Sequence, residues 1–201
     1  MLRLVQLAAI FAASLSSTAA SLPSDHSASF TRVNALKAFS FDAPDGTYSA
    51  QNVPLDCGTD AIWLKAHFTR LGTPKTKWAP LISLTIESST TSATVRVLPE
   101  NFEAPLDVEI VTVDLNAQTD VSQVVLYNKF GLDASVPVLA SWSSDGLVTF
   151  NIGGETRVVH LKGPVLQASL TGCTGAGVFD PVEIGRISGT DPAVSCPTPS
   201  Q

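Results

Sequence analysis

The sequence is poor in charge, and the charge it has is mostly negative. Only 15% of its 201 residues are Asp, Glu, Lys or Arg, and the formal net charge is −6. No cluster of Lys and Arg occurs along it. A protein that grips a phosphate backbone or an anionic lipid surface needs such a cluster. Nucleic-acid binding and membrane-surface binding are therefore excluded as functions. Low charge does not signal disorder here. Hydrophobic residues make up 44% of the chain, enough apolar surface to build a core.

Chemical signatures are also missing. There is no G-x-S-x-G nucleophile elbow and no H-E-x-x-H pair. The three cysteines, Cys57, Cys173 and Cys196, are too widely spaced for a zinc site, and none has a histidine nearby. The glycine-rich segment TGCTGAG at 171–177 is not followed by a helical pattern, so it lacks the helix N-terminus that a phosphate loop uses. It reads as a turn. No Asn-x-Ser/Thr sequon is present, so glycosylation gives no clue.

Long hydrophobic runs are scarce as well. The one predominantly apolar stretch, Leu4 to about Leu15, is too short to span a bilayer, so no membrane span is expected. Arg3 precedes it, and the small residues Ser17, Ala19 and Ala20 follow. That order marks a secretory signal. Residues 1–20 are expected to be a signal peptide cut after Ala20, and 21–201 a single domain ending in the Pro-rich tail DPAVSCPTPSQ. Loss of Arg3 makes the mature form one charge more acidic. A secreted or periplasmic location is expected, and in an oxidising compartment three cysteines imply one disulfide and one remaining thiol. Three pairings are open. Cys196 is favoured as a participant, because its tail has little else to hold it down.

What the mature chain does have is alternation of period two, repeated from end to end. Ile62, Leu64, Ala66 and Phe68 point one way along 61–69, while Trp63, Lys65, His67 and Thr69 point the other. Ile82, Leu84 and Ile86 alternate with Ser83, Thr85 and Glu87; Val95 and Val97 alternate with Thr94 and Arg96. Between Leu106 and Leu115 the apolar phase switches, which predicts a bulge near Ile110. Further strands are expected near Ser29–Asp42 and at 121–130, 136–142, 147–152, 157–161, 165–170 and 178–186. Turn signals separate them: PDG at 44–46, DG at 145–146, GG at 153–154 and KGP at 162–164. The Asp145-Gly146 pair is expected to close a hairpin through a type I′ turn. About ten to twelve short strands predict an all-β sandwich or barrel in one domain.

The C-terminal third carries a family likeness. ASWSSDGLVTFNIGG from Ala140 to Gly154 places Trp142 before a DG turn and a strand ending in a glycine turn, and VFDPVEIG closes at Gly185. This resembles the laminin G-like segment of the concanavalin A-like lectin and glucanase superfamily. The resemblance implies a two-sheet antiparallel jelly-roll sandwich. It also implies a choice among sugar-binding lectins, adhesion modules, and hydrolases or lyases of polysaccharides. A fold alone does not make that choice; a site must.

The glucanases of that superfamily carry alternating acids on one strand, so that nucleophile and acid flank a glycosidic bond from one face. Here the nearest stretch is PLDVE, with Asp107 and Glu109 on one face and Pro105 where the first acid would stand. The expectation is a solvated strand face rather than a catalytic centre. His26 reads as a surface residue, His160 as a hydrogen-bonded structural histidine and Trp142 as core. Trp63, Lys65 and His67 share the non-core face of one strand, where an indole can stack on a sugar ring while Lys and His bond its hydroxyls. Trp78 sits in a loop-like segment and is a second stacking candidate. No cofactor is expected. Calcium, with Asp42, Asp45, Asp56 and Asp60 as oxygen donors, is the one metal considered, but two turn aspartates fall short of the six to eight ligands calcium takes. The expected function is a secreted non-catalytic binding module with carbohydrate as the favoured ligand. A structural or adhesive domain binding another protein is the alternative, and a polysaccharide-active hydrolase or lyase stands third.

Overall fold

The computed structural model describes residues 30–56, 58–72, 79–99, 105–126 and 129–188. The expected signal segment, His26, Cys57, Trp78, Cys196 and the Pro-rich tail lie outside the described residues. Eleven strands form in chain order: β1 Phe30–Leu36, β2 Phe39–Val53, β3 Ala61–Leu71, β4 Leu81–Glu87, β5 Thr91–Pro99, β6 Leu106–Asp114, β7 Thr119–Val125, β8 Val136–Trp142, β9 Leu147–Ile152, β10 Glu155–His160 and β11 Gln167–Ile187. All strand pairs are antiparallel and all eleven strands belong to one hydrogen-bonded sheet.

The sheet is organised by β11, its longest strand at 21 residues. One edge of β11 pairs with β2 and then β1; the other pairs with β4 over 167–173 and then β3 over 175–185. From β4 the order continues through β5, β6 and β7, and from β3 through β8, β9 and β10. β11 thus joins two wings, and the wings fold toward each other. Leu64, Ala66 and Val138 from the β3 wing line one small cavity with Ile82, Leu84, Val95 and Val97 from the β4 wing, beside Phe179. The inward residues of both wings form a single hydrophobic cluster that includes Ile62, Leu84, Val108, Phe150, Leu170 and Ile184. Each such buried side chain contributes about 1.5–3 kcal/mol, and a one-residue slip would turn a strand's whole set outward. The alternation therefore fixes the register.

Two segments that read as turns are instead bends inside strands. PDG at 44–46 lies within β2, and TGCTGAG lies within β11. The two bends meet: the Gly46 N–H donates to Thr174 Oγ1 at 3.3 Å, and the β2–β11 register shifts between Cys173 and Gly175. Gly46 and Gly175 have φ of 76° and 150°, and Thr174 between the wings has φ 43°. Glycine takes such angles freely and a β-branched residue does not. Gly172 and Gly177 serve packing, because a Cβ there would sit 2.4 Å and 2.8 Å from the Phe41 ring. The glycines that looked like chain reversals let two paired strands cross together from one wing to the other. The expected strands at 165–170 and 178–186 are consequently one strand, and the expected N-terminal strand divides into β1 and β2.

Two smaller expectations also change. β6 pairs with β5 without interruption past Ile110, and the irregularity falls one strand over, against β7 between Thr112 and Val113. The apolar phase switch arises because Val111 is buried on the face away from the core cluster. The Asp145-Gly146 hairpin is closed by Gly146 N–H donating to the Ser143 carbonyl at 3.1 Å, with Gly146 but not Asp145 at positive φ. That is a type I turn followed by a left-handed glycine. The I′ geometry belongs to Gly153 and Gly154, with φ of 57° and 90°, between β9 and β10.

Candidate functional site

Because the wings close on a shared core, each has an outer face pointing away from the other. The outer face of the β3 wing holds the predicted cluster. Trp63 lies between Leu139 of β8 and Glu183 of β11, and Lys65 Nζ stands 5.6 Å from the centre of its ring. Glu183 also binds Arg32 at 3.1 Å. The face alternation is as expected, but Trp63 is only 5% exposed, so its ring does not present an open stacking surface. Lys65 and His67 are half-buried beside it, and His67 Nδ1 is inaccessible. Trp142 is core, at 2% exposure. His160 is structural as expected, its Nε2 lying 3.1 Å from the Asp145 carbonyl across the hairpin.

Apart from Asp107 and Glu109, the outer face of the β4 wing was not singled out by the sequence, and it differs in chemistry. Opposed residues in an antiparallel ladder share a face, so two rows can be traced across five strands. One runs Ala50, Thr171, Ser83, Arg96 and Glu109; the other runs Asn52, Ser169, Thr85, Thr94 and Val111, ending at Gln123 on β7. Hydroxyls and amides dominate. Thr85 and Thr94 share a hydrogen bond at 3.1 Å. Arg96 Nη1 binds Glu109 Oε1 at 3.4 Å, and Gln123 donates to the other carboxylate oxygen. Gln167 likewise donates to Glu87 at the margin.

This network bears on the acidic pair in PLDVE. Asp107 and Glu109 do share the outer face, but Glu109 is 7% exposed and so is not a solvated side chain. Each carboxylate already has a cation: Arg96 for Glu109 and Lys129, at 3.1 Å, for Asp107. His67 is on the other outer face, so the structure does not bring it to these carboxylates. Of the calcium candidates, Asp42 binds Arg70 at 2.5 Å and Asp60 accepts the Ile187 N–H at 2.7 Å. Among the described residues no three His, Cys, Asp or Glu side chains form a group able to hold a metal. Cys173 is a buried free thiol, and burial raises its pKa above the usual thiol range.

The Arg96–Glu109–Gln123 unit could have been suspected from sequence only in part. Arg96 is the lone charge of β5 and Glu109 was read with Asp107 on β6, but the meeting of Arg96 with Glu109 depends on the β5–β6 register, which no local pattern encodes.

No protein-family model matches the chain, and no curated protein does. Among solved structures the chain is similar to the CBM2 module of an evolved Dit of Lactobacillus casei BL23 phage J-1, at 9% identity and TM-score 0.47, covering 80% of each chain. It is also similar to galectin LEC-6 of Caenorhabditis elegans, at 12% identity and TM-score 0.41, covering 74% of this chain and 95% of that one. Porphyranase B from Zobellia galactanivorans follows at 7% identity and TM-score 0.38, covering 79% and 74%. The likeness is to the course of the sheet; at these identities it assigns neither a ligand nor a reaction.

Proposed function

We propose that this chain is an exported, non-catalytic binding module whose ligand is a carbohydrate, built on a concanavalin A-like jelly roll. The observation that carries this reading is the outer face of the β4 wing. Sugar hydroxyls both donate and accept, and they are matched by planar groups that do the same in pairs. Arg96, Glu109 and Gln123 hold each other in fixed orientation, in line with Asn52 and a run of Ser and Thr hydroxyls. A preorganised polar array of this kind recognises a polyol without losing much side-chain entropy. It does not supply chemistry, since the two carboxylates are each engaged by a neighbouring cation.

Glycan-array and polysaccharide pull-down measurements on the mature chain, with and without calcium, test the reading. Binding that Arg96→Ala abolishes supports it. Failure to bind any glycan in either condition overturns it. One observation favours the adhesive alternative: among the described residues β7 pairs on one side only, and it exposes Val121, Val124 and Val125 at 60%, 42% and 53%. An open valine-bearing edge can accept a strand from a protein partner. Loss of a protein partner on Val124→Lys, with glycan binding absent throughout, would select that alternative.

A further inference from the structure

Resting on that reading, we infer that the carbohydrate is an extended neutral chain lying across the strands, and that Tyr48 is the platform at one end of its site. Side-chain height on the outer face of the β4 wing is uneven. Ala50, Thr171, Ser83, Ser169, Thr85 and Thr94 are short and form a low floor over β2, β11, β4 and β5, with Ser83 and Thr94 buried at its bottom and the others partly or fully exposed. Taller groups stand around them. Tyr48 on β2 is 65% exposed and sits over Cys173 of β11, on the outer face. Leu81 and Leu98 continue the same row on β4 and β5 as partly exposed apolar side chains. Arg96, Glu109 and Gln123 close the far end, and Glu87 with Gln167 closes the other flank.

The result is a shallow trough, apolar along the Tyr48 row and hydroxyl-lined along its floor. A pyranose has the same division: ring C–H groups on its faces and hydroxyls around its rim. Tyr48 can take a ring face while the floor takes the rim. Length follows from strand spacing. From β2 to β6 are four interstrand steps, roughly 19 Å at the usual separation. A sugar unit in a linear glycan is about as long as one step, so about four units fit between Tyr48 and Glu109. Charge restricts the class. Among the described residues the cations on this face are both paired, Arg96 with Glu109 and Lys129 with Asp107 at the end of the Tyr48 row, and Glu87 adds negative charge at the flank. An anionic polysaccharide would meet no free cation there and one uncompensated carboxylate. A neutral one meets matched donors and acceptors.

Calorimetric titration of the mature chain with cello-, laminari- and malto-oligosaccharides of one to six units tests this. In one series the affinity is expected to rise with each unit and level off at about the fourth. Tyr48→Ala is expected to lower affinity for the four-unit sugar about five- to tenfold while leaving the two-unit sugar within twofold. Tyr48→Phe should bind like the parent, because the ring and not the hydroxyl does the stacking. Tyr48 is exposed, so neither variant threatens the fold. A two-unit sugar binding as tightly as the four-unit one, or Tyr48→Ala binding all lengths like the parent, overturns the extended trough and leaves the carbohydrate reading standing. Absence of binding in all three series overturns the neutral linear-chain assignment, and the glycan array then decides whether the broader reading falls with it.

Discussion

The two outer faces of this sheet invite opposite readings before and after folding. The β3 wing carries the aromatic, the lysine and the histidine that look like a ligand site, yet its indole is covered, capped by Lys65 and seated between Leu139 and Glu183. The β4 wing carries serines and threonines that look like ordinary strand surface, yet it holds an oriented Arg–Glu–Gln unit and an exposed tyrosine. An aromatic on the solvent side of an alternating strand is a large apolar surface, and folding hides such surface when neighbours allow it. Small hydroxyls stay where the backbone places them. Residue type marked the face whose aromatic is covered; cross-strand alignment marks the one that carries an ordered polar array.

The largest effect that would sharpen this contrast is on stability. Trp63→Ala should cost about 3–4 kcal/mol in urea unfolding, as expected for truncating a buried indole, while leaving glycan affinity within twofold. A folded Trp63→Ala protein that no longer binds would move the site to the β3 wing. Next comes the junction between the wings. Gly177→Ala places a Cβ 2.7 Å from the His67 carbonyl and 2.8 Å from the Phe41 ring, and should cost about 2–3 kcal/mol as an overpacking change. Tryptophan fluorescence, to which Trp63 and Trp142 of the β3 wing contribute, and far-ultraviolet circular dichroism, which reports both wings, should share one unfolding midpoint. Two separate midpoints would show that the wings are independent units.

Arg96→Ala should reverse the Trp63 pattern. It leaves Glu109, only 7% exposed, without its cation, at a cost of about 1–3 kcal/mol, but it should weaken glycan binding at least about tenfold through loss of a charged hydrogen-bond donor. Binding unchanged in Arg96→Ala would remove the β4 wing from consideration. The smallest effect lies at two exposed turns. Asp114 is held below the usual carboxylate range by the Ala117 N–H and Lys162, and Asp145 by the Ser143 hydroxyl. A carboxyl with a lower pKa folded than unfolded stabilises above the unfolded value, and that contribution is lost as pH falls through the folded one. Thermal melts from pH 7 to pH 3 should therefore show a slightly smaller acid-side loss in Asp114→Asn than in the parent. An identical pH dependence in both would show that the turn contributes nothing.

Much of the fold was legible in the sequence, because burial enforces period two and the strands at 61–69, 82–87 and 136–142 obey it. The errors share one cause. PDG and TGCTGAG have the composition of turns, and glycine satisfies a turn and a sharply bent strand by the same conformational freedom. Only the partner strand decides which, and the partners here are more than a hundred residues apart. The candidate site was less legible for a related reason. Trp63, Lys65 and His67 are neighbours on one strand and can be read locally, whereas Ala50, Ser83, Arg96, Glu109 and Gln123 become neighbours only through five ladders.

The place of β11 in the chain has a consequence in time. It is the last described strand, and it supplies an edge to β1, β2, β3 and β4 at once. Until Gln167–Ile187 is available, β1 and β2 have no pairing partner and neither wing has its inner margin. Closing contacts over so long a separation makes such a chain a slow, late folder. During vectorial synthesis β1 and β2 therefore emerge with nothing to pair with, whereas β4 to β7 and β8 to β10 follow one another in the chain and can pair as they appear. The first described strands are thus held open until the last one arrives to join them to both wings.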